Sequence, residues 1–168
     1  GTLTKGIQGY SDVQGPRGTP DLGWGFNVPS QALYNSFEPG DLRRDASIMS
    51  VPSVLWDGYV TSNSWTNPRY NYKAYQSSIA ESWNGNKSET AKNLRVLKYS
   101  DVLLIKAEAA FQNGASGEAL GIINDLRERA GLPERNNLTL EDIYNERRWE
   151  MAMEHDRSRV GDGLLAVG

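Results

Sequence analysis

The chain has 168 residues, 38% of them hydrophobic and 23% charged, with a net charge of −3 from 18 Lys and Arg against 21 Asp and Glu. That length supports a domain with its own core, and the slight acidity removes the basic footprint that nucleic acid or an anionic membrane surface requires. One His and no Cys exclude multi-histidine metal sites, zinc–thiolate sites and disulfides, so neither a metal nor a cofactor is expected.

The opening GTLTKGIQGY lacks a charged region followed by an apolar stretch, so a chain exported by a signal peptide would have to begin downstream of it. No run approaches the roughly 18–20 apolar residues of a membrane span. Composition divides near residue 93: the first part holds six of seven Pro, four of five Trp and six of eight Tyr. Residues 1–92 therefore read as an irregular, aromatic-rich loop region with short helices. Ser30 caps a helix of about two turns over 31–37, which Pro39-Gly40 ends. A further turn runs from Asp41 to near Ile48. The polar segment 62–83 reads as ordered loop with one strand around 70–75. The glycines of GPRGTPDLGWG lack the strand-then-helix context of a phosphate-binding loop.

Residues 93–157 read as helices. A first helix over 97–111 carries an apolar face that includes Val102, Leu103, Ala107, Ala110 and Phe111, and Asn113-Gly114 terminates it. Ser116 caps a second helix to about Ala130, with Ala119, Leu120, Ile123, Leu126 and Ala130 inside and Glu118, Asp125, Arg127 and Glu128 mainly toward water. Gly131-Leu132-Pro133 closes it. Thr139 opens a third helix, Glu141 and Asp142 suit its positive dipole end, and Leu140, Ile143, Tyr144 and Met151 mark its inner stripe. The short link between the first two helices makes an antiparallel hairpin, and residues 158–168 form a tail. His155 suits a helix C-terminus better than a catalytic role.

The stretches NLRVLKYSDVLLIKAEA (93–109), EAL with INDLRERAGL (118–132) and ERRWEMA with Glu154 and Arg157 resemble consecutive helices of the RagB/SusD family of outer-membrane nutrient-binding proteins. Upstream, GWGFNVPS (23–30) and FEPGDLRR (37–44) resemble another stretch of that family, in the same order. The usual glycine after the third helix's glutamate is replaced by His155-Asp156. The resemblance implies a mainly α fold, a TPR-like helix-turn-helix layer with a large irregular loop region, and the C-terminal portion of a longer chain. It also implies a non-catalytic role: a cell-surface lipoprotein of the outer membrane that holds oligosaccharide or polysaccharide for a SusC-like TonB-dependent transporter. On that reading the membrane is reached only through an N-terminal lipid anchor outside this chain.

Flat aromatic faces suit the C–H side of a sugar ring. Trp56, Tyr59, Trp65, Tyr70 and Trp83 are therefore the candidate platforms, with Asn63 and Arg69 as hydroxyl partners and Asn67 and Asn84 nearby. For each aromatic, burial in the core of the loop region competes with ligand contact. Trp24, flanked by glycines, reads as structural. Glu146, Arg147, Arg148, Glu150, Asp101 and Glu108 read as interhelical ion pairs, and Asp41 with Arg43-Arg44 as an anchor of the loop on the helices. Two other classes remain: a TPR-like protein-binding scaffold, and a glycoside hydrolase using Asp57 with Glu81.

Overall fold

In a computed structural model the described residues are 9–17, 23–62, 65–81 and 96–154. Among them the elements run α1 (Tyr10–Gln14), α2 (Gln31–Ser36), α3 (Leu42–Ser47), β1 (Ile48–Ser50), β2 (Arg69–Asn71), a 3-10 turn (Tyr72–Ala74), α4 (Tyr99–Gln112), α5 (Ser116–Arg129) and α6 (Leu140–Glu150). The fold is mainly α. The chain divides into two compact units, Gly1–Ser36 with Arg44–Leu94 and Phe37–Arg43 with Arg95–Gly168.

The second unit is the helical one. Both α4 and α5 end in a left-handed glycine that satisfies their last carbonyls. After α4, Gly114 (φ +80°) donates to Phe111 O and Ala115 to Ala110 O. After α5, Gly131 (φ +76°) donates to Glu128 O and Leu132 to Arg127 O. The expected cap at Ser116 is corrected: Ala115 occupies the cap, since its carbonyl accepts the first bond of α5 from Ala119 N, and Ser116 is the first residue of that helix. Thr139 caps α6 in a reciprocal box, its hydroxyl accepting from Asp142 N while the Asp142 carboxylate accepts from Thr139 N.

Leu104, Ala107, Ile122, Ile123, Leu126 and Ile143 form the core, with Leu103, Phe111, Leu138 and Leu140 packed against it. Two assignments change here. Val102 is exposed and Leu104 takes the inner position instead. Arg127 is buried rather than solvated, because its guanidinium grips both oxygens of Glu38 at 2.8 and 3.0 Å. Arg43 likewise binds Asp41, Glu146 and Glu150, and Arg147 on α6 pairs with Asp101 on α4. Each of these charges thus has an opposite neighbour, without which its burial would be prohibitive.

In the first unit β1 and β2 pair antiparallel, with Ile48 opposite Asn71, Met49 opposite Tyr70 and Ser50 opposite Arg69. The strand expected over 70–75 is therefore shorter and earlier, since the chain turns into 3-10 geometry at Tyr72. Ser30 caps α2 as expected from its sequence, its hydroxyl accepting from Leu33 N at 3.1 Å. Met49, Leu55, Trp65, Tyr70 and Tyr75 make the core of this unit. Aromatics replace aliphatics here, and their ring edges pack where a loop region offers few branched side chains. Trp24 is tied to α1: its backbone N–H and indole N–H both donate to Asp12, at 2.8 and 3.1 Å. A Cβ on Gly23 would lie 2.6 Å from Gly15 O, which accounts for a glycine beside that tryptophan.

Candidate functional site

Residues 54–60 form a small antiparallel excursion, with Val54 bridged to Val60. Its tip is a β-turn in which Gly58 N donates to Leu55 O at 2.9 Å, and Leu55 N donates to Tyr59 O at 2.8 Å. Gly58 has φ +86°, a conformation that favours glycine. Trp56 stands on this tip with 60% of its surface exposed. An indole so placed costs apolar hydration unless something covers it.

The tip is held from below. Trp56 N donates to the Tyr72 hydroxyl at 2.9 Å. The Asp57 carboxylate accepts from Tyr59 N at 3.0 Å, from the Tyr75 hydroxyl at 2.8 Å and from Ser77 Oγ. Burial alone would push Asp57 upward, but these hydrogen bonds, led by Ser77, outweigh it and hold its carboxyl below the usual range. Burial and the neighbouring Asp57 push the Tyr75 phenol upward. Ser77 N in turn donates to Glu81 Oε2 at 2.7 Å. The turn is fixed in place before any ligand arrives.

The other candidates separate by burial. Trp65 is 7% exposed and Tyr70 0%, so both are corrected from platforms to core residues. Trp65 meets Tyr70 edge-on at 5.8 Å, and the Tyr70 hydroxyl donates to Arg17 O at 2.9 Å. Tyr59 is half-buried, stacked on Trp65 at 6.4 Å, and supports the turn more than it presents a face. Arg69 lies over the Tyr34 ring at 4.1 Å. Asn63, Trp83 and Asn84 lie outside the described residues. Sequence reasoning missed Tyr72 and Ser77 as supports of Trp56. A clustering of Tyr and Ser after Pro68 was the only signal, and it does not say which hydroxyl reaches which turn. Among the described residues no group of three His, Asp or Glu is placed to hold a metal, and no helix is long and apolar enough to cross a membrane.

The model of the SusD family matches residues 44–159. The chain belongs to the SusD family. SusD-like protein P2 of Formosa agariphila is 33% identical over 120 residues, covering 66% of this chain and 23% of that protein. A SusD-like protein of Bacteroides ovatus is 39% identical over 66 residues, 38% of this chain and 12% of its own length. Among solved structures, surface glycan-binding protein A from Bacteroides thetaiotaomicron superposes with a TM-score of 0.70 at 25% identity, over 88% of this chain and 35% of that one. The same protein in complex with laminarihexaose gives 0.64 at 25% identity, over 84% and 34%. The chain thus spans about a third or less of the length of these SusD-family relatives.

Proposed function

We propose that this chain is part of a non-catalytic glycan-capture protein of the bacterial cell surface. One observation carries the reading within the chain: an exposed indole, Trp56, on a turn pinned by Tyr72, Tyr75 and Ser77. The likeness to surface glycan-binding proteins, one of them in complex with laminarihexaose, supports sugar as the ligand. The sugar's C–H face stacks on the indole, and hydroxyls bond to polar groups around it. Tyr59 stands behind the platform, and Trp83, Asn63 and Arg69 are proposed as further contacts from neighbouring chain. On the family's pattern the protein sits at the outer membrane as a lipoprotein, beside a SusC-like TonB-dependent transporter that receives the glycan.

Capture without cleavage is supported by how the two loop carboxylates are engaged: Asp57 accepts three hydrogen bonds that hold the turn, and Glu81 Oε2 accepts from Ser77 N, so both brace the loop. Affinity electrophoresis of the protein through gels containing different polysaccharides tests this reading, with reducing-end release assayed alongside. Retardation by at least one polysaccharide without release is expected; release that Asp57→Asn abolishes would show a hydrolase instead. One observation favours a second reading, the protein-binding scaffold: Val96, Leu97, Tyr99 and Val102 are exposed around the start of α4. A pulldown lost on Tyr99→Asp and Val102→Asp but unchanged by Trp56→Ala would favour it.

A further inference from the structure

The first unit also contains a cleft of about 460 Å³ lined by Tyr34, Arg44, Asp45, Ser50 and Tyr72. That volume suits a small ligand or one end of a longer one. Ile48 and Met49 supply an apolar floor. At the rim Arg44 Nε donates to Asp45 Oδ1 at 2.9 Å, so the charged lining sums to zero. The Asp45 side chain is 71% exposed, and a carboxylate offers about four acceptor positions, of which this bond fills one. Arg44 and, from outside the lining, Arg69 lie over the Tyr34 ring, at 5.1 and 4.1 Å, which orients the Arg44 guanidinium at the rim. Tyr72 joins the cleft to the platform, because its hydroxyl also accepts from Trp56 N.

A donor and an acceptor side by side, over an apolar floor and with no net charge, match adjacent hydroxyls on a neutral sugar ring. A carboxylated or sulfated sugar would instead meet the exposed Asp45 carboxylate, with the lining's Arg44 already paired to it. We propose that this cleft is a subsite for an uncharged sugar residue, continuing a saccharide that stacks on Trp56, with the Arg44–Asp45 pair bonding two neighbouring hydroxyls. This subsite rests on the glycan-capture reading.

Calorimetry of the full chain against laminarihexaose, cellohexaose, maltohexaose, mannohexaose and hexagalacturonate tests it. Binding of at least one neutral hexasaccharide is expected. Asp45→Ala and Arg44→Ala should each weaken it about tenfold, the loss of one charge-assisted hydrogen bond, at an unchanged thermal midpoint. Raising salt to about 0.5 M should leave the neutral affinity within twofold. If both substitutions leave binding within twofold while Trp56→Ala removes it, the subsite falls and the platform stands. Salt-sensitive preference for hexagalacturonate would also overturn the subsite. Silence from every probe would overturn the glycan reading itself, and the subsite with it.

Discussion

Glu146 and Glu150 stand one turn apart on α6 and both face Arg43, yet their acidities move in opposite directions. Burial dominates at Glu146 and raises its carboxyl despite Arg43 and Arg127. At Glu150 burial also pushes upward, but Lys98, a hydrogen bond from Ser100 and Arg129 together hold it down at about 2. A lowered carboxyl stabilises the fold fully above about pH 4.5, and that contribution drains away as pH falls toward 2. The shift corresponds to at most about 3 kcal/mol. Glu146 has the opposite sign: its raised carboxyl contributes most at low pH and less as pH rises through its folded value. Glu150→Gln should therefore cost more than Glu146→Gln in urea unfolding at about pH 7, and should flatten the acid limb of the stability profile. Equal costs, or an unchanged acid limb, would contradict this assignment. These pairings were partly legible, since charges at i, i+4 on an amphipathic helix announce ion pairs. What spacing could not say is that Glu38 would bury Arg127, because the two lie far apart in sequence.

At the scale of elements, the helix ends were the most readable feature, since Gly114 and Gly131 must adopt positive φ to close their helices. They differ in surroundings. A Cβ on Gly114 meets nothing within 4 Å, whereas one on Gly131 would lie 3.1 Å from Leu42 Cδ1. Gly114→Ala is expected to cost about 1 kcal/mol from backbone conformation alone. Gly131→Ala should cost more, and thermal unfolding of the two variants would reveal the order. Helix faces were less legible. The run Val102-Leu103-Leu104-Ile105 is apolar on every side of a turn, so periodicity could not choose Leu104 over Val102; packing against α5 and α6 did. The segments α1 and β1 escaped notice because five- and three-residue elements carry too few periods to be recognised.

Across the whole molecule, the family was legible because its helical patterns recur in order, while the site was legible only as a set of aromatics. Composition marks Trp56 and Trp65 equally; the fold puts one at a turn tip and the other in the core. The two should therefore fail differently. Trp65→Ala is expected to lose about 3–5 kcal/mol of stability, seen as a lower urea midpoint, whereas Trp56→Ala should leave the midpoint nearly unchanged. A stability loss of similar size for both would remove the distinction between platform and core. The most direct test of the central claim is calorimetric titration of the chain and its Trp56→Ala variant with neutral hexasaccharides. A captured glycan stacked on the indole predicts measurable binding to at least one, weakened about tenfold or more in the variant. Binding that Trp56→Ala leaves untouched, or no heat from any saccharide, would contradict it.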